Sequence, residues 1–128
     1  SVVHPDLLSI GGAMQLKKLG DMCEQYGVAM AVHMAESPIG FLAAVHAAAA
    51  VKNVLAVEFH SVDYADWYKL IKPNVKIENG FVTVPEAPGL GIESLNEELI
   101  KKYLKEDCKA WADTSAWDNE WANDREWS

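Results

Sequence analysis

Val2-Val3-His4-Pro5-Asp6, Val28-Ala29-Met30-Ala31-Val32-His33 and Val54-Leu55-Ala56-Val57-Glu58 are short apolar runs, each closed by a side chain that can carry a proton or a charge. Each gap between runs has room for one helix, so the order reads strand–helix–strand–helix–strand. Crossovers of that kind are right-handed, and the three strands are expected to be parallel neighbours. Parallel α/β folds, open or closed into a barrel, place their ligands at the carboxyl ends of the strands. Asp6, His33 and Glu58 stand at those ends. The fold class is therefore α/β, and the trio is the candidate active site.

The gaps support this order. After the break at Gly11-Gly12, Met14, Leu16, Leu19, Met22, Cys23 and Tyr26 recur at helical spacing until Gly27, which suits a helix stop. Pro38 opens a second, Ala-rich helix over residues 39–50. Alternation along the strands puts Asp6, His33 and Glu58 on one face with His4, Ala29, Ala31, Val54 and Ala56. Val28, Met30, Val32, Leu55 and Val57 are expected to face the helices. Downstream, residues 66–71 read as a short helix, and Asn79-Gly80 joins residues 75–77 and 81–84 as a hairpin. A loop rich in Pro and Gly follows, then a helix over residues 96–104. Three regions result: strands and helices in 1–62, a returning segment in 63–105, and an acidic, Trp-rich tail in 106–128.

A chain of 128 residues, half of them hydrophobic, can bury one core. With 11 basic against 19 acidic residues and a net charge of −8, it carries no general positive field for nucleic acid or an anionic membrane. Seven of the acids fall in residues 106–126 beside two bases, which reads as a solvated surface. Trp111, Trp117, Trp121 and Trp127 lie among them and are expected to pack on the fold or on a partner. Cys23 and Cys108 belong to no metal-ligand spacing and read as free thiols of a reducing compartment. The longest apolar run, residues 39–51, is too short to span a bilayer, and a cytoplasmic location is expected. The chain opens without Met inside a strand-like run, so it reads as a piece of a longer protein.

The runs His4-Pro5-Asp6-Leu7-Leu8-Ser9-Ile10-Gly11-Gly12, Val32-His33 with Ser37-Pro38-Ile39-Gly40, Val57-Glu58, Asn79-Gly80-Phe81 and Pro88-Gly89-Leu90-Gly91 follow one another in a specific order. Over roughly residues 1–105 the chain resembles the carboxyl-terminal third of the mandelate racemase and muconate lactonizing group of the enolase superfamily. The resemblance implies strands six to eight of a modified (β/α)7β TIM-type barrel, followed by a segment that returns to a capping domain built by upstream sequence. It implies proton abstraction next to a carboxylate, with Mg2+ stabilising the enediolate. The metal ligands are expected upstream, and none is expected in this chain. It further implies that Asp6 and His33 are an Asp-His dyad and that Glu58 hydrogen-bonds a substrate carboxylate oxygen. Asp6 speaks against the muconate-lactonizing branch, which has Lys there.

A carboxylate beside an imidazole fixes its tautomer and raises its basicity. The expected reaction of the parent enzyme is dehydration of a sugar acid to a 2-keto-3-deoxy acid. A mandelate-type racemase is the alternative, and a non-catalytic, self-associating fragment is another. His60, which shares parity with Glu58, and Glu36 and Ser37, in the loop after His33, are the candidate substrate contacts. Each has a plain rival as a surface or loop residue. His46 reads as structural, and His4 as an interior residue one layer below Asp6, with a ligand role as its lesser alternative. Open strand edges suggest a homo-oligomer or association with the rest of the barrel.

Overall fold

The computed structural model describes residues 1–59 and 65–108, which belong to two compact units, 1–96 and 97–128. In the first unit, β1 (Val2–Val3), β2 (Ala29–Val32) and β3 (Val54–Val57) form a parallel sheet in that order. The crossovers are α1 (Ala13–Gln25) and α2 (Pro38–Ala49). They pack on each other, α1 against β2 and α2 against β3. The main expectation from sequence, three parallel neighbours joined by helices, is what the chain builds.

Local chemistry accounts for the helix ends. The Gly40 N–H donates to Ser37 Oγ at 3.3 Å, and Pro38 follows with its φ already helical, so α2 begins there. At the end of α1 the Val28 N–H donates to the Cys23 carbonyl at 2.8 Å, across Gly27 at φ 63°. Leu16 on α1, Met30 and Val32 on β2, and Phe41 and Val45 on α2 meet in the core. The apolar spacing in α1 is real, but the buried positions are Leu16, Gly20 and Cys23. Met14, Met22 and Tyr26 are exposed.

β3 departs from expectation. Met30 stands opposite Val54 but Ala31 opposite Ala56, so one residue of β3 is extra. That bulge breaks the alternation. Val54 and Val57 pack on the core, while Leu55, expected to face the helices, is 66% exposed.

The second half of this unit is tied together by short antiparallel pairs. Residues 66–71 do not form one helix: a 3-10 turn covers Trp67–Lys69, and β4 (Ile71–Lys72) pairs with β7 (Ser94–Leu95). The Asn96 N–H to Leu70 carbonyl bond at 2.9 Å extends that pairing, and Ile71 is buried as a strand residue. β5 (Ile77–Glu78) and β6 (Phe81–Val82) form the expected hairpin. Asn79 and Gly80 take φ of 53° and 82°, the left-handed pair that this turn requires. Phe41, Phe59 and Trp67 meet edge to face and bind this half to α2. In the second unit α3 (Glu97–Lys102) has acids in its first turn and lysines in its last, which suits the helix dipole. Cys23 is a buried and Cys108 an exposed free thiol. The tail tryptophans lie outside the described residues. Among the described residues no helix is long and apolar enough to cross a membrane.

Gly20 marks a close approach of α1 to Val51, since a Cβ there would lie 2.5 Å from Val51 Cγ1. Gly20→Ala is expected to destabilise the chain by about 1–3 kcal/mol through overpacking. Thermal melts check this, and adding Val51→Ala should restore part of the loss.

Candidate active site

The parallel ladder continues past the strand ends into the site. The His33 N–H donates to the Pro5 carbonyl at 2.9 Å, and the Glu58 N–H donates to the Val32 carbonyl at 2.8 Å. Asp6 and His33 form a bridge pair in the register set by Val3 and Met30. On the other side the extra residue of β3 brings Val57 opposite Val32. Without it, Val57 would stand beside His33, and Glu58 would be displaced by one position. Side chains alternate faces, so that shift would turn an apolar group toward the imidazole.

Each member of the trio is held by a different element. Asp6 Oδ1 accepts the Leu8 N–H at 2.7 Å and the Ser9 N–H at 3.4 Å, and Oδ2 accepts the Ser9 hydroxyl at 3.0 Å. Partial burial pushes the Asp6 carboxyl up, but these donors and the neighbouring His33 outweigh it and hold the group below the usual carboxylate range. His33 Nδ1 lies 3.6 Å from Asp6 Oδ2, beyond hydrogen-bond length, and is buried without a hydrogen-bond partner. An Asp6 movement of a few tenths of an ångström would complete that bond. His33 Nε2 faces Glu58 Oε2 at 3.7 Å, and the Met34 N–H donates to that same oxygen at 3.1 Å. Asp6, His33 and Glu58 are 21%, 34% and 35% exposed, open enough for a small molecule to reach.

A fourth residue joins them. His4 Nδ1 hydrogen-bonds the Ala31 carbonyl at 2.9 Å, and its Nε2 stands 3.4 Å from Glu58 Oε2. The two imidazoles meet edge to face at 5.3 Å. His4 is thus more than the interior residue expected from sequence. Its parity with Asp6 was the available signal, whereas the Met34 N–H left none. Ser9 was also missed, although an Asp followed by a hydroxyl residue in a turn is a recognisable pattern.

The loop contacts divide. Glu36 is exposed, lies close to Asp6 and His33, and accepts the Ala35 N–H at 3.2 Å. The Trp67 indole N–H donates to its backbone carbonyl at 3.0 Å and pins the loop. The Ser37 hydroxyl is the cap of α2. His60 lies outside the described residues. His46 on α2 is away from the trio, with its Nε2 buried and unpartnered. A hollow of about 670 Å³ beside the hairpin, lined by Pro73, Val75, Phe81 and Pro85 among others, contains no member of the trio.

Among the described residues, the clustered donors that could hold a metal are His4–His33–Glu58 and Asp6–His33–Glu36. Mg2+ takes oxygen ligands in octahedral geometry, and both sets include imidazole nitrogen. These residues do not fit a Mg2+ site.

Residues 1–99 match the family described as enolase C-terminal domain-like, and the chain belongs to that family. It is similar to the D-xylonate dehydratase of Haloferax volcanii, with 35% identity over 82% of this chain and 25% of that protein. The D-gluconate/D-galactonate dehydratase of Picrophilus torridus is 32% identical over 82% of this chain and 28% of its own. The crystal structure of a mandelate racemase/muconate lactonizing enzyme-like protein from Rubrobacter xylanophilus superposes with a TM-score of 0.79 at 30% identity, covering 87% of this chain and 28% of that one. The sheet and its helices are thus part of a TIM-type barrel. The chain spans about a quarter of the length of the curated relatives it matches.

The lowered pKa of Asp6 fixes the sign of a stability effect. A carboxyl depressed in the folded state contributes stability above its unfolded pKa and loses it as pH falls through the folded value. Thermal melts should show the parent chain losing more stability on acidification through the carboxylate range than Asp6→Asn does.

Proposed function

We propose that this chain supplies the proton-transfer side of an acid-sugar dehydratase of the enolase superfamily. The observation that carries this reading is His33 lying between Asp6 and Glu58 at the ends of adjacent parallel strands. The names of the dehydratase relatives support the same substrate class.

Asp6 orients the imidazole with its proton on Nδ1, which leaves the Nε2 lone pair to take the proton next to the substrate carboxylate. Glu58, fixed by the Met34 N–H, holds a carboxylate oxygen of the substrate in its protonated form or through a shared proton. The protonated His33 then returns its proton to the hydroxyl on the adjacent carbon, which leaves as water. The product enol becomes a 2-keto-3-deoxy acid. The nearness of Glu36 to the dyad supports assigning it as a loop contact to the sugar hydroxyls. We place Mg2+ and its oxygen ligands in the upstream part of the polypeptide. β1 and β3 are the outer strands of their sheet, and we place the remaining barrel, or further copies, at those edges.

The complete protein, supplied with Mg2+ in deuterium oxide, is expected to exchange the proton next to the carboxylate of an aldonate and to release water from it. His33→Asn should lower exchange by about 100 to 10,000-fold without loss of metal binding. Exchange with no dehydration across aldonates would favour a mandelate-type racemase instead. Unaltered exchange in the variant would remove His33 from the role of base.

A further inference from the structure

We propose that His4, His33 and Glu58 form a binding site for a first-row transition cation of the zinc type. It is separate from the Mg2+ assigned to the upstream part.

Two of the three donor pairs are already near the necessary spacing, and the third lies within reach. A tetrahedral zinc ion with bonds of about 2.0–2.2 Å sets its ligand atoms about 3.3 Å apart. Glu58 Oε2 lies 3.4 Å from His4 Nε2 and 3.7 Å from His33 Nε2, and all three donors fall within 4.8 Å of one another. Contraction by a few tenths of an ångström would complete the spacing to Glu58, and a rotation of the half-exposed His4 ring would close the gap between the two imidazole nitrogens. The fourth position would face the open ends of the strands.

The second observation is the set of groups behind the ligands. A metal-bound imidazole usually gives its other ring N–H to a backbone carbonyl or a carboxylate, which fixes both tautomer and ring plane. His4 has such a partner, and His33 has a carboxylate facing it just beyond hydrogen-bond length. His4 Nδ1 is 2.9 Å from the Ala31 carbonyl, and His33 Nδ1 is turned toward Asp6 Oδ2 at 3.6 Å. In each ring this leaves Nε2 directed at Glu58. The Met34 N–H further orients the Glu58 carboxylate. Two imidazoles and one carboxylate are a zinc-type donor set and a poor one for Mg2+.

The competing set, Asp6–His33–Glu36, is less well prepared. The Asp6 oxygens already accept Leu8 and Ser9 donors, and Glu36 is exposed and engaged with the Ala35 N–H. The two sets share His33 but differ in His4 and Glu36.

The site does not depend on the dehydratase reading. If that reading holds, the cation occupies the Nε2 that serves as base, and zinc is an inhibitor. Binding can therefore be tested without substrate.

Zinc chloride titrated into the metal-free 128-residue chain in a calorimeter is expected to bind with one equivalent, and Co2+ should give the intense visible bands of a tetrahedral site. His4→Gln and Glu58→Gln should each weaken zinc binding at least tenfold. Asp6→Asn should weaken it about 10-fold as an outer-shell partner. Glu36→Gln, His46→Gln and Cys108→Ser should leave the affinity unchanged. Circular dichroism matched to the parent confirms the fold of each variant; His4 is half exposed, so its substitution leaves the core intact. Absence of stoichiometric binding, unaltered affinity in His4→Gln and Glu58→Gln, or loss of affinity in Glu36→Gln or His46→Gln would overturn the proposal.

Discussion

Two backbone hydrogen bonds hold the site in register: His33 N–H to the Pro5 carbonyl, and Glu58 N–H to the Val32 carbonyl. They extend a parallel ladder beyond the formal strand ends and set three polar side chains side by side. The helices fix that ladder from behind, because Met30 and Val32 point into the core that α1 and α2 close. The face opposite that core carries the imidazoles. Packing on one side and chemistry on the other are thus two consequences of one strand alternation.

The arrangement concentrates polar groups that restrain one another. Asp6 is restrained by Leu8 and Ser9, which stabilise its charge and keep it beside His33. Glu58 receives an N–H from Met34 and faces two imidazoles. Each carboxylate remains partly open to solvent. The two proposed uses of the cluster, proton transfer and cation binding, both require His33 Nε2 and would compete.

What could be read from the sequence was local. Asn79-Gly80 specifies its turn through two backbone conformations, and Ser37-Pro38 specifies a helix start, so both were legible. The parallel order followed from the strand–helix alternation. The bulge in β3 was not legible, because it depends on how Val54 and Ala56 pair with another strand. Strict alternation therefore misplaced Leu55. The β4–β7 pair was missed for a similar reason: each strand has two residues, and their pairing is non-local. For the site, Asp6, His33 and Glu58 were readable as strand-terminal residues. The contact of His4 with Glu58 needed the folded register.

The proposed role of Asp6 is to fix the tautomer of His33 and leave Nε2 unprotonated when the ring is neutral. Nitrogen-15 NMR of the labelled imidazole, recorded without metal above the pH at which His33 deprotonates, tests it most directly. The proton is expected on Nδ1, with a shift toward the other tautomer in Asp6→Asn. A neutral ring protonated on Nε2 in the parent chain, or a tautomer indifferent to Asp6→Asn, would contradict it.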